Sequence, residues 1–331
     1  MLLRLPIILA LTASAAFAIS EENVSQTLDV TPGGNLVVDV NFGTVDVSSG
    51  SDNQVAIQAH RKIEASEEAR EKQFFDEAPI VISKEGNTVT IRARRITEQK
   101  SWSWSGNVSM DGRYTVRVPK NFNLDLKTGG GMVSARDITG VVKISTSGGK
   151  LKLAQLRGPV DAKTSGGSIK LEDCQGNLGV KTSGGEIRAD AGSGSLDART
   201  SGGSIVVRNF KGDTTVKTSG GQLTFENIGG KVIGQTSGGS ITAALISPLP
   251  GEVELSSSAG SIDLTVPSDA ALNLEADASN GTVSNSLPIV ATHIHKDALR
   301  GAMNGGGKSV ILRSSVGSIS LRPAAPKTAM Q

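Results

Sequence analysis

Asp161 and Asp197 are the carboxylates whose spacing best suits hydrolytic chemistry, because they hold equivalent places two repeats apart with Gly179 between them. At about 4.8 Å between stacked strands, two repeats bring them to the separation of the acid and base of an inverting glycosidase. Lys163 and Arg199 stand two residues after each. Outward acids on a strand are ordinarily solvated partners of such cations, and that reading outweighs the catalytic one. A carbohydrate-active lyase or hydrolase using this pair is kept as the alternative. His293 and His295 share one strand face and would make half a metal site, but only Asp297 stands near to complete it. No metal and no cofactor is expected. The many serines belong to the repeat and are turn residues, so no serine triad is expected. Asn304-Gly-Gly-Gly-Lys308-Ser309 imitates the end of a phosphate loop. The required first glycine falls on Ala302, and Ser309 to Leu312 continues as a strand rather than a helix. No residue is assigned a catalytic role.

The remaining chemistry is basic. Lys163, Lys181, Arg199 and Lys217 each precede a Thr-Ser-Gly-Gly tetrad, and Gln235 ends the series. Stacked repeats would set these cations in a column, with Lys152, Lys170 and Arg188 in a second column across the turn. Like charges in adjacent strands repel, and Asp161, Asp197, Glu172, Glu186 and Asp190 are placed to offset them. The face then reads either as solvated and self-neutralised, or as a strip that binds acidic glycans, lipopolysaccharide or another envelope polyanion. Trp102 and Trp104 alternate on one side of a polar segment, placed to stack on sugar rings or to cap a coil.

What must position these side chains is a repeat. Thr-Ser-Gly-Gly begins at Thr146, Thr164, Thr182, Thr200, Thr218 and Thr236, a strict spacing of 18 residues. Degenerate copies precede the series at Thr128-Gly-Gly-Gly and follow it at Ser257-Ser-Ala-Gly, with echoes at Ser279-Asn-Gly and Ser315-Val-Gly. Such a period means one supersecondary unit stacked on copies of itself, an all-β solenoid or β-helix. Within one unit, Ile169 and Leu171 alternate with polar residues, a break follows at Cys174 and Gly176, and Leu178 and Val180 alternate again. Each coil is therefore two short strands and two turns. A three-sided coil of hexapeptides is excluded, since stepping by six from Ile169 reaches Gln175 and Lys181. The tetrad threonine falls on the inward phase, where its hydroxyl must bond along the stack or to the turn amides. The Gly-Gly pair is expected to adopt backbone angles closed to other residues.

Residues 19–125 read as an N-terminal β region of the same architecture with a weaker repeat. A helical insertion at 62–78 is charged and ended by Pro79, with Phe74 and Phe75 turned inward. The solenoid proper is expected over 126–322, with a further excursion from Ile289 to Gly307 and a disordered tail over 323–331. The chain opens with Arg4, an apolar run from Leu5 to Ala18 and Ala16-Phe17-Ala18, the layout of a signal peptide over 1–18. Export to the periplasm, outer surface or exterior is expected, with no transmembrane segment in the mature chain. One cysteine, Cys174, allows no intramolecular disulfide. A net charge of +2 gives no global field for a nucleic acid.

The Thr-Ser-Gly-Gly-x-Ile-x-Leu coils, the opening Pro32-Gly-Gly-x-Leu-x-Val, Asn41-Phe-Gly-Thr-Val-Asp-Val47 and the closing Gly317-Ser-Ile-Ser-Leu together resemble a bacterial family of exported, adhesin-like β-helix domains of unknown function. The resemblance covers nearly the whole mature chain. It implies a non-enzymatic structural or adhesive scaffold at the cell envelope, with an anionic polysaccharide, another envelope component or an unidentified protein as partner. It carries over no catalytic residues. A periplasmic accessory protein acting through a protein partner is the remaining alternative.

Overall fold

The structure, a computed structural model, describes residues 20–65, 68–94 and 109–325. The signal-peptide segment, Trp102, Trp104 and residues 326–331 lie outside the described residues. From the N-terminus the elements are β1 (Ser20–Asp29), β2 (Gly34–Val40), β3 (Thr44–Ser49), β4 (Gln54–Glu64), α1 (Glu68–Glu77), β5 (Val81–Glu85), β6 (Thr88–Ala93), β7 (Ser109–Val118), β8 (Phe122–Thr128) and β9 (Val133–Arg136). Beyond them each 18-residue repeat gives one strand to each of two sheets: Val160–Thr164 and Ile169–Glu172, then Gln175–Lys181 and Ile187–Asp190, and so on. Among the described residues one sheet has 14 strands and the other 15, and both are parallel through the repeats.

The alternation in the sequence becomes two facing walls of aliphatic side chains. Ile169, Ile187, Ile205, Leu223 and Ile241 stand opposite one another in successive strands of the smaller sheet. Leu124, Val142, Val160, Leu178 and Leu196 do the same in the larger one. All ten belong to a single continuous core. Volume is balanced along each column. The Gly192 position has no room for a Cβ, which would lie 2.6 Å from the Phe210 ring. The ring of the next coil thus fills what the glycine leaves open.

The two turns work differently. After six strands of the smaller sheet, from Val133–Arg136 to Leu223–Glu226, a non-glycine residue turns left-handed: Asp137, Gln155, Asp173, Ala191, Asn209 and Asn227 have φ from +49° to +58°. Asn, Asp and Gly accept this conformation readily and alanine does not. Asn227 also donates from Nδ2 to Oδ1 of Asn209 at 2.7 Å, beginning a side-chain ladder. Ala191→Asn is therefore expected to stabilise the fold by about 0.5–1 kcal/mol. A raised urea midpoint with an unchanged slope would show it, and a lowered midpoint would refute it.

At the tetrad turn the expectation about glycine torsions is corrected. None of the tetrad glycines lies in the left-handed region. A Cβ on the second glycine would instead strike the backbone of the coil below, at 1.9 Å for Gly167 against Gly149 O and 2.0 Å for Gly185 against Gly167 O. The second glycine permits stacking rather than a torsion. The first glycine meets nothing closer than 3.5 Å in any of the six coils. The tetrad threonines are buried as expected. Thr182 Oγ1 donates to Gly167 O of the preceding coil at 2.8 Å and accepts from its own Gly185 amide at 3.3 Å. The same pair of bonds recurs at Thr164, Thr200, Thr218 and Thr236.

Both ends depart from sequence order. The last strands, Lys308–Ser314 and Ile319–Pro323, insert between Val253–Ser257 with Ile262–Val266 and Leu272–Ala278 with Val283–Asn285. The excursion from Ile289 is a hairpin, Val290–Ile294 with Ala298–Met303, that extends the larger sheet. At the tail, Pro323 is still in a strand and the Ala324 amide donates to Val266 O at 2.8 Å, so the described chain stays paired two residues beyond 322. At the N-terminal end β4 runs to Glu64, so the helix begins later than residue 62. Phe74 packs with Ile63 and Ala78 beside Phe42, Phe75 and Met110, at the turn between β2 and β3. The outermost strands there are β1 and β5.

Candidate functional site

The register places the predicted cations as two columns. Lys163, Lys181, Arg199, Lys217 and Gln235 stand opposite one another on the larger sheet. Lys152, Lys170 and Arg188 do so on the smaller sheet, where Val206 ends the run. The sheets face each other across the core, so the columns flank the tetrad turn on opposite outer faces and do not merge into one strip.

Within each column the charges are only partly neutralised, and the repeat explains which. Lys163 pairs with Asp161 at 3.0 Å, and Arg199 holds Asp197 through two 2.8 Å bonds. The acid stands two residues before the cation, on the same face of the strand. At Lys181 that place is Gly179 and at Lys217 it is Thr215, and neither lysine has an ion pair among the described residues. On the other sheet Lys170 pairs with Glu172 at 2.5 Å and Arg188 with Glu186 at 3.0 Å. Lys152 has Ala154 where Lys170 has Glu172, and it has no ion pair among the described residues. Free and paired cations thus alternate along the larger sheet: Lys163 paired, Lys181 free, Arg199 paired, Lys217 free.

The register places the candidate catalytic pair two strands apart, as the period anticipated. Asp161 and Asp197 stand on either side of Gly179 in register, on an open outer face, each bound to its own cation. His295 Nδ1 is hydrogen-bonded to Asp297 in the turn of the hairpin, and no group of three ligating side chains forms among the described residues. The phosphate-loop imitation is a turn at Asn304 to Gly306 followed by a strand. Cys174 is buried in its core column, and burial pushes its thiol pKa up, away from the reactive thiolate.

Sequence reasoning missed a second basic region, on the outer face of the smaller sheet at its N-terminal end. Arg113 and Arg117 on β7 and Arg136 on β9 point outward there. None has an ion pair among the described residues, whereas Arg157, Arg188, Arg199 and Arg208 of the repeats each hold a carboxylate. Next to Arg113 lies a concavity of about 490 Å³ between β1, β4 and β7. The alternation of β7 announced that Arg113 and Arg117 share a face. Nothing in it announced that β4 would lie beside them.

Among described residues no helix is long and apolar enough to cross a membrane. No curated protein matches the chain in sequence. Several solved structures are similar in part. A protein named as a candidate adhesin, from Bacteroides fragilis, is 11% identical with a TM-score of 0.28, covering 91% of this chain and 98% of its own. A candidate cell adhesion protein from Clostridium sporogenes is 11% identical with a TM-score of 0.24, over 92% of this chain and 100% of its own. A candidate lipid binding protein from Parabacteroides distasonis is 12% identical with a TM-score of 0.32, over 90% and 96%. At these scores the overlaps carry no functional argument. The sequence profile of one family matches residues 34–322, from β2 to the last paired coil. The chain belongs to the Toastrack DUF4097 family.

Proposed function

We propose that this chain is a non-enzymatic β-solenoid scaffold, exported to the cell envelope, whose outer faces hold an acidic polymer. One observation carries the reading: Lys181 and Lys217 stand unpaired in an in-register column two coils apart, on a flat parallel sheet. At about 4.8 Å per coil they are about 10 Å apart, a spacing at which successive acidic groups of an extended polymer engage both. A sheet paired on both sides has little backbone freedom to lose on binding, so the ordering cost falls on the lysine side chains. Export is supported by the signal-peptide pattern of residues 1–18, directly ahead of β1. The absence of a catalytic role is supported by the separate ion pairs that occupy Asp161 and Asp197.

Exposed charges act through a screened field, so binding should be salt-dependent. Lys181→Glu with Lys217→Glu is expected to weaken retention on an immobilised acidic polysaccharide by about tenfold at low salt, taking about 0.5–1 kcal/mol per reversed charge. Arg199→Gln should do less, because its charge is already matched by Asp197. An elution midpoint unmoved by the double reversal would discard the proposal.

A further inference from the structure

The concavity on the outer face of β1, β4 and β7 is built as a grid. Across one row Asn23, His60 and Arg113 stand opposite one another, and across the next Ser25, Gln58 and Thr115. Backbone of Val24 and Ala59 forms its floor. With strands about 4.8 Å apart and same-face residues about 6.7 Å apart, the six side chains cover about 10 by 7 Å. That is the footprint of one pyranose ring with its substituents. His60 Nδ1 lies 2.8 Å from Asn23 Oδ1, which fixes the imidazole in the row.

The charge in this grid is one-sided. Arg113 brings a guanidinium with no ion-pair partner among the described residues, and the lining contains no acid. Of the nearest acids, Asp46 one strand over accepts a hydrogen bond from the Ser134 hydroxyl, and Glu21 and Asp111 one row along stand on either side of Lys62. Five of the six side chains offer hydroxyls, amides or imidazole, the groups that pair with sugar hydroxyls. The sixth offers the fork that binds a carboxylate through two parallel bonds. Beyond Arg113 the sheet continues with Arg117 and Arg136, which flank Ser48 in register and so stand about 10 Å apart. They would meet later acidic groups of the same chain.

We propose that this grid is a sugar-binding site for a uronic-acid residue of an acidic glycan, its carboxylate on Arg113 and its hydroxyls on Asn23, Ser25, Gln58 and Thr115. A single carboxylate matches one guanidinium, whereas a phosphate monoester carries about twice that charge at neutral pH. The site lies outside both cation columns and stands even if the column reading fails.

Calorimetric titration of the full chain with trigalacturonate tests this, with the methyl-esterified trimer as the uncharged counterpart. The free acid should bind at least about tenfold more tightly than the ester, and Arg113→Gln should remove that difference, as expected for loss of a charge-assisted bidentate contact. Gln58→Ala should weaken both ligands by about threefold, consistent with one neutral hydrogen bond. Equal affinity for acid and ester, an unaltered Arg113→Gln, displacement by equimolar inorganic phosphate, or no heat at millimolar trimer would each overturn the assignment.

Discussion

Gly185→Ala is expected to disrupt the solenoid, while Gly184→Ala, one residue earlier in the same tetrad, leaves it standing. The two positions are equal in type and differ in what surrounds them. A Cβ on Gly185 would fall 2.0 Å from Gly167 O, 2.4 Å from Gly167 C and 2.7 Å from Ser168 N. All three are backbone atoms of the coil below, so no side chain can move aside. Relief requires the coils to part, which breaks the ladder on both sheets and strains the Thr182 bond to Gly167 O. A Cβ on Gly184 meets nothing nearer than Gly166 O at 3.8 Å. Because neither glycine is left-handed, torsional strain does not blur the contrast. The expected losses are at least about 3 kcal/mol for Gly185→Ala, from overpacking against fixed atoms, and within about 0.5 kcal/mol of zero for Gly184→Ala, where a smaller unfolded ensemble offsets any cost. Urea unfolding followed by circular dichroism reads both. In a stack where each coil touches only its neighbours, the first variant should also split one transition into two. Similar midpoints for the two variants would show that the second glycine is not required for stacking.

That contrast marks where the sequence was informative. The 18-residue period announced the two-sheet coil, the inward threonine and the columns of equivalent side chains, because in a parallel stack every residue meets its own counterpart. Even the free lysines were legible: Gly179 and Thr215 stand where Asp161 and Asp197 would have neutralised them. The role of the tetrad glycines was misread because composition says only that a residue lacks a side chain. Whether a torsion or a neighbour demands that lack is a three-dimensional matter. The positive torsions belong instead to the other turn, to the glycines from Gly140 to Gly212 and to the column from Asp137 to Asn227, whose Asp, Gln, Asp, Ala, Asn, Asn series at the same period was the overlooked signal.

The ends were less legible for a different reason. Alternation tells a strand which side faces the core but not which strand lies beside it. β4 pairs antiparallel with β1 on one side and with β7 on the other, across a long intervening stretch of chain. The closing coil returns to insert one place inward from the preceding one. The Arg113 grid depends on that pairing, since its rows join three strands that no repeat relates. The cation columns needed only the period.

Arg61→Met should loosen the N-terminal end alone. Arg61 is wholly buried, on the inward phase of β4 that Val55, Ile57, Ala59 and Ile63 share. Its Nε donates to Glu22 at 2.9 Å, its Nη2 pairs with the same carboxylate, and its Nη1 donates to the Ala78 carbonyl at 2.6 Å. The guanidinium also lies 5.2 Å from the centre of the Phe75 ring. One side chain thus ties β1, the end of α1 and β4 together. Burial of the neighbouring Tyr114 hydroxyl pushes its pKa up to about 12, a sign of how little water reaches the region. Methionine preserves much of the volume but leaves Glu22 without its cation and the Ala78 carbonyl without its donor. Breaking a buried pair by removing one partner costs about 3–5 kcal/mol, and the loss here falls toward the lower end because Glu22 keeps 31% of its side chain exposed. Coils contact only their neighbours, so that loss should stay local. Amide exchange in β1 and α1 is expected to quicken by about 10²–10³-fold, while amides from Val142 to Ser257 keep their protection. Glu22→Gln, which leaves the wholly buried guanidinium without its anion, should quicken exchange at least as much. Uniform loss of protection along the chain would mean that Arg61 supports the whole stack, and unchanged exchange would mean that it supports neither.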